Sequence, residues 1–390
     1  IADFFTVFAR TESGAKGQLS AFIVTRDMAG VSSSLHEDKM GIRASSTTSV
    51  IFKDVRLSTE HLLGEEGKGF KIAMRILNSG RTGLGGGCVG GMKQIIEIAT
   101  KQAKMRKQFG QSISEFGLIK QKLGQMVVDC YASESVVNMV AGMIDHGSQD
   151  YAVEAAISKV FASECLWRTV DEALQIAGGM GYMREAPYEK MVRDARINRI
   201  FEGTNEILRL FIALTAMNDV GVDLKEIANS LGNVLQDPIK GFGVLSEYTK
   251  RRVSQATGLG RPTITLAHAD VRPYCIVFED CTIKLASAVD RILRKHGRNI
   301  VAKQFATRRL ADIMIDLFVL ASIISRVSGA LNLNRSNSTL KELEILQVFC
   351  CQVRRRVSSL LIEIDDNEDE GIKALADHAV AEEKYIWDNC

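Results

Sequence analysis

The sequence predicts an α+β chain: the end of an antiparallel β-domain, then a helical bundle, then a second C-terminal helical domain. Three observations carry this reading. Apolar residues alternate through the first 60 residues, their period lengthens to that of a helix after Gly64, Gly67 and Gly69, and a breaker-rich stretch divides two helical regions.

In chain order, Phe5, Val7 and Ala9 lie on one side of an alternating run, 19–24 forms a second run and 49–52 a third, with glycine and polar turns between them. So small a sheet buries little core alone and is expected to complete one begun upstream. From Phe70 to about Ala216 apolar stripes recur at helical spacing. They are Ile72, Ile76 and Leu77; Met92, Ile95, Ile96 and Ala99; Leu118, Leu123, Met126 and Val127; and Val153, Ala156, Ile157, Val160 and Phe161. Each stripe predicts a helix that must bury one side, hence a bundle. Leu224, Ile227, Leu231 and Val234 continue the pattern until Pro238, and residues 254–272 read as a linker. Helices resume with Ile283, Ala286, Val289 and Ile292, then over 302–327 and 340–362, and the acidic run Asp365–Glu370 reads as a solvated loop. The expected domains are 1–60, 61–220, a linker at 221–272 and 273–390.

Composition excludes several classes. With 46% hydrophobic and 25% charged residues the chain is an ordinary globular one. A net charge of +2 gives no general attraction to nucleic acid, and none is expected as a partner. Eight cysteines form no C-x-x-C pair and read as reduced thiols; six histidines show no metal-ligand spacing, so no metal site is expected. No run of 18 apolar residues predicts a membrane-spanning helix. The strand-like opening without an initiator methionine or leader reads as the interior of a longer protein.

One segment carries chemistry. In Ile200–Glu206 a carboxylate, Glu202, sits beside a glycine and two small polar residues, with arginine-bearing segments on both sides. Locally this is a helix start: Gly203–Glu206 can cap a helix through Leu208, Phe211 and Ile212. Its surroundings add more. RINRIFEGTNEILRLFIA, LQIAGGMGYMREAPYEKMVRDAR (174–196), RKQFGQSISEFGLIKQKL (106–123) and KMGIRASSTTSVIFKDVRLSTEHLLGEEGKGFKIAMRIL (39–77) occur in family order. Together they resemble the acyl-CoA dehydrogenase flavoenzyme family, strongly over 1–220 and more loosely to the end, in a tail that only some members carry.

The resemblance implies FAD as cofactor and α,β-dehydrogenation of a long- or very-long-chain acyl-CoA to the trans-2-enoyl-CoA in mitochondrial β-oxidation. By it, Glu202 is the base, Phe201 excludes water, Gly203 supports the site and Arg81 shapes the site's field or orients the carboxylate, its rival reading being a surface ion pair. Arg106 pairs with a pyrophosphate, Gln108 and Phe109 contact the flavin, Gln175, Gly178 and Gly179 form a second FAD segment, and Thr204 adds a further contact. Asp194 and Arg196 read as structural, and 39–48 as a support for the cleft. The resemblance also implies a homodimer whose flavin sites take RKQFG and QIAGG partly from the other subunit. It implies an electron-transfer flavoprotein as redox partner, and a peripheral place on the matrix face of the mitochondrial inner membrane. Residues 222–252 would attach to anionic lipid there, although the same stripe can instead pack on the helical core. The alternative is a related member that acts in respiratory complex I assembly; the tail fits both, and SLGNVLQDPIKGFGVLSEYTKRRV favours the dehydrogenase. The chain departs from the family pattern in lacking the upstream helical domain and the flavin-binding strand segment.

Overall fold

A computed structural model describes residues 2–11, 18–217, 263–333, 338–385 and 387. They fall into two compact units, 1–205 and 206–390. The membrane segment expected at 222–252 lies outside the described residues.

The first unit opens with strands β1 (Phe4–Arg10) and β2 (Leu19–Thr25), antiparallel with Phe8 opposite Ala21. The alternation expected of β1 is seen in part: Phe5, Val7 and Ala9 are half-buried while Phe4, Thr6 and Arg10 are exposed, whereas in β2 the buried residues Ser20, Ala21 and Val24 do not alternate. Two short strands, β3 (Val31–Ser33) and β4 (Val50–Phe52), pair beside a turn at Gly30. There φ is +92° and a side chain would meet the Lys53 carbonyl, so only glycine fits. The chain then enters helix α1 (Gly69–Met105) directly against β2, where a Cβ on Gly69 would lie 2.6 Å from the Ser20 carbonyl carbon.

Helix α1 corrects the sequence reading. The Ile72–Leu77 and Met92–Ala99 stripes suggest separate helices, yet they belong to one helix of 37 residues running through Gly80, Gly83, Gly85, Gly86, Gly87, Gly90 and Gly91. Tertiary packing overrides the weak propensity of those glycines. Gly85 admits Ser158 and Val137, and Gly91 admits Leu166, at distances a Cβ would crowd. The second stripe is core, with Met92, Ile95 and Ala99 fully buried, whereas Ile76 of the first is half exposed.

A two-residue hairpin, β5 (Lys107–Gln108) and β6 (Gln111–Ser112), turns the chain back into α2 (Gly117–Asp145), and α3 (Ala152–Ala177) follows. The Gly85–Ser158 and Gly91–Leu166 contacts make α1 and α3 parallel. Ion pairs from Lys93 to Glu134 and from Lys122 to Glu172 set α2 antiparallel to both. Helix α2 puts Met126, Val136 and Val140 into the core, but Leu118 and Val127 of its predicted stripe face outward. It is also long and apolar enough to cross a membrane by length and composition, and 44% of its apolar 18-residue window is buried within the fold.

Short helices α4 (Gly179–Tyr182) and α5 (Tyr188–Arg196) lead to the 197–204 turn and to α6 (205–217). Helix α5 anchors the 39–48 segment. Arg193 Nη1 donates to the Met40 carbonyl at 2.7 Å, and the Ile42 amide donates to Asp194 Oδ1 at 2.6 Å. Burial alone raises the Asp194 carboxyl, but bonds from Lys190 and Ile42 outweigh it and hold it below the usual range. Arg196 lies over the Trp167 ring.

The second unit packs α7 (Arg272–His296), α8 (Gln304–Asn332) and α9 (Ser338–Glu363) around Val289, Leu310, Ile313, Leu320, Phe349 and Val353. Arg356 clamps Asp316 through two hydrogen bonds. Ala286, expected in the α7 stripe, is exposed. The acidic run is also corrected: its end begins a helix, α10 (Asp369–Glu382), with Asp369 and Glu370 in the first turn, where acids suit the helix dipole. Asp369 accepts two 2.7 Å bonds from Arg309, so it is not simply solvated. Among the described residues the cysteines form no disulfide.

Candidate active site

The Glu202 turn is built against the first half of α1. Glu202 and Gly203 both have positive φ, +59° and +92°. The left-handed region disfavours a side chain, so Glu202 stays there only because its surroundings hold it. Buried Arg81 donates from Nε to the Glu202 carbonyl at 3.1 Å and from Nη1 to Asn78 Oδ1 at 2.9 Å. Burial lowers the Arg81 pKa, and the Glu202 charge opposes that fall. One residue away on α1, Gly80 leaves the carboxylate its space: a Cβ there would stand 3.1 Å from Glu202 Oε2 and 3.3 Å from Cδ.

The other side of the turn is held from α3. Lys159, with no solvent exposure, donates from Nζ to the Gly203 carbonyl and to Asn205 Oδ1, each at 2.8 Å. Asn205 Nδ2 donates to Ser163 Oγ at 3.0 Å and Glu164 Oε1 at 2.9 Å, and Glu164 pairs with Arg199 at 3.0 Å. The turn is thereby gripped on both flanks. Cys88 lies near Lys159; burial pushes its thiol up to about 12, with the lysine charge pulling the other way, so it is an inert neutral group. Phe201 stands beside Glu202 but is 40% exposed, and Thr204 is half-buried at the mouth of α6.

The structure thus brings Arg81, Phe201, Glu202, Gly203 and Thr204 together. It does not bring the remaining sequence-predicted residues to them. Arg106, Gln108 and Phe109 lie at the far end of α1, and Gln175, Gly178 and Gly179 at the far end of α3, all exposed. At a rise of ~1.5 Å per residue, Arg106 is about 37 Å from Arg81 along α1, and Gly178 about 28 Å from Lys159 along α3. Because α1 and α3 are parallel, these two segments share one end of the bundle. Phe109 and Gly110 form the hairpin tip with φ of +52° and +82°, and the Phe109 ring is 92% exposed, touching Phe116 edge-on. Gly178 (φ +62°) closes α3, and a Cβ on Gly110, Gly178 or Gly179 would meet nothing within 4 Å. A cavity of about 420 Å³ lies between α2 and α3, away from Glu202, and Lys122, Asp129, Arg168 and Glu172 line it as ion pairs. Among the described residues no cluster of three His, Cys, Asp or Glu is placed to hold a metal.

Comparison with known proteins places this architecture. The model of the acyl-CoA dehydrogenase C-terminal domain matches residues 67–217, and that of the ACAD9/ACADV C-terminal domain matches 271–385. The very long-chain specific acyl-CoA dehydrogenase of Rattus norvegicus is 39% identical over 375 residues, which is 94% of this chain and 56% of that protein. The chain belongs to the acyl-CoA dehydrogenase family. The very long-chain specific acyl-CoA dehydrogenase of Bos taurus is 43% identical over 340 residues, 85% of this chain and 51% of that one. A solved acyl-CoA dehydrogenase from Bacillus anthracis, complexed with FAD, superposes with a TM-score of 0.77 at 33% identity, over 93% of this chain and 61% of that chain. The chain spans about half the length of the curated relatives it matches.

Within this family member, sequence reasoning missed Lys159, Ser163 and Glu164 as residues touching the Glu202 turn. One signal was present. Lys159 interrupts an otherwise uncharged and mostly apolar helix segment, 155–162, and a charge at such a position is buried only with a partner.

Proposed function

We propose that this chain carries the catalytic helical domain of an FAD-dependent dehydrogenase converting long- or very-long-chain acyl-CoA to trans-2-enoyl-CoA in mitochondrial fatty-acid β-oxidation. The observation that carries it is the Glu202 carboxylate, fixed on a left-handed turn and facing the bare helix position Gly80. Removing a proton α to a thioester requires a carboxylate held at the right place. Glu202 takes that proton. Arg81 fixes the Glu202 carbonyl, and Gly80 keeps the approach to the carboxylate open.

The residues at the other end of the bundle fit FAD. Arg106 is exposed and offers a fixed charge to a pyrophosphate; Phe109 offers an uncovered ring; the backbone at Gly110, Gly178 and Gly179 is open to close approach. Bound FAD would supply the acceptor for the hydride leaving the β carbon, a role no side chain fills. Because the two ends lie on the order of 30 Å apart, one flavin beside Glu202 would take Arg106 and Gly178 from a second copy of the chain. This supports the homodimer. Acceptance of electrons by an electron-transfer flavoprotein, a mitochondrial location and peripheral contact with the matrix face of the inner membrane belong to the same proposal. The mitochondrial relatives support the location. The relatives compared are named as dehydrogenases and lend the complex I assembly alternative no support.

The test is Glu202→Gln in the full-length protein. Once bound FAD is confirmed, flavin bleaching by a long acyl-CoA should fall by about a thousandfold, within the range of general-base effects. Bleaching at the normal rate would reject Glu202 as base, and a preference for short chains across a panel of acyl lengths would reject the long-chain assignment.

A further inference from the structure

We infer that Lys159 is a positioning residue for the base: its buried ammonium, together with Arg81, holds the two successive carbonyls of the left-handed Glu202–Gly203 turn. This rests on the reading of Glu202 as the base. The two cations take adjacent carbonyls from opposite sides. Arg81 of α1 binds the Glu202 carbonyl, and Lys159 of α3 binds the Gly203 carbonyl. Both are buried, at 5% and 0% exposure. A lysine charge taken fully out of water is costly unless its donors are met by well-placed acceptors, so Lys159 ties the turn's geometry to α3. The same ammonium grips Asn205 Oδ1, and Asn205 passes the restraint through Glu164 to Arg199. Residues 199 and 205, on either side of Glu202, are thus anchored to one stretch of α3. Without Lys159 the Gly203 carbonyl loses this hold and the peptide is released to rotate. Glu202, already at a positive φ, then relaxes toward ordinary backbone and carries its carboxylate off line. Misplacement by about 1 Å costs up to about a hundredfold in rate.

The experiment compares wild type, Glu202→Gln, Lys159→Met and Lys159→Gln in the full-length protein loaded with FAD. Flavin reduction by acyl-CoA is followed with protiated and α-deuterated substrate, and amide exchange is measured over 203–206. The expectation for both Lys159 variants is a rate lower by about 10- to 100-fold at unchanged KM, a larger α-deuterium isotope effect, and faster exchange confined to the turn. A merely structural loss would lower the amount of active protein and leave the isotope effect alone. If Lys159→Met does not take up FAD, Lys159→Gln, whose amide is uncharged and one bond shorter than the lysine ammonium that reaches Gly203, carries the comparison. Wild-type rate and isotope effect in that variant, with Glu202→Gln inactive, would overturn the role of Lys159 only. Normal flavin reduction by Glu202→Gln would instead remove the base itself, and this proposal with it.

Discussion

The two ends of the α1–α3 bundle are built on opposite principles. At the Glu202 end, buried cations satisfy strained carbonyls and a glycine keeps a space clear, so the arrangement is complete within one chain. At the Arg106–Gly178 end, tight turns hold the backbone in order while their side chains and glycines stand open to solvent. On the proposed function, the first end would be a preorganised reaction site and the second a surface for binding FAD. Parallel packing of α1 and α3 keeps them apart, and in the proposed function two copies of the chain would bring both to one flavin.

Breaking the closed end should have the largest effect, and Glu202→Gln is the most severe case. At the open end, Arg106→Ala should weaken FAD retention by about tenfold, or about 1.4 kcal/mol. Titration of the released flavin by fluorescence checks this, and the fold should be untouched. Gly80→Ala sharpens the contrast. Alanine favours a helix interior by about 1 kcal/mol, so Tm should hold or rise. Its methyl would crowd the Glu202 carboxylate, so flavin reduction should fall by about tenfold. A lowered Tm with unchanged rate would contradict the close approach seen here.

The smallest effect lies outside both ends. Hydrogen bonds from Arg309 hold the Asp369 carboxyl below the usual range. The unfolded chain therefore binds that proton more readily, and the stabilisation is full above about pH 4 and lost as pH falls through the lowered folded value. Asp369→Asn should cost α10 about 1 kcal/mol of local stability and remove this acid dependence. Proteolysis of α10 at pH 7 and pH 3 reads it, and flavin reduction should not change.

Much of this was legible in the sequence, because strand alternation and helical stripes report burial directly. Phe5, Val7 and Ala9, or Met92, Ile95 and Ala99, needed no partner to be read. The glycines of α1 hid its continuity, since their tolerance comes from Ser158, Val137 and Leu166 on other helices. Asp369 passed for a solvated acid because Arg309 lies 60 residues away. The Lys159 bond to Gly203 spans 44 residues and lies equally outside any local pattern. The motif residues themselves could be listed, but not their separation into two ends, which follows from helix direction alone.

Complementation between two inactive variants tests the central claim most directly. One chain carries Glu202→Gln with an intact Arg106–Gly178 end; the other keeps Glu202 and carries Arg106→Glu with Gly178→Val. Each alone should fail to reduce its flavin with acyl-CoA. Co-expressed, half of a statistical mixture of dimers is mixed, and each mixed dimer should contain one site with both ends intact. Sharing of one site between two chains therefore predicts recovery of about a quarter of wild-type activity by dimer statistics. No recovery in purified mixed dimers would mean that both ends act within a single chain, against the separation described here.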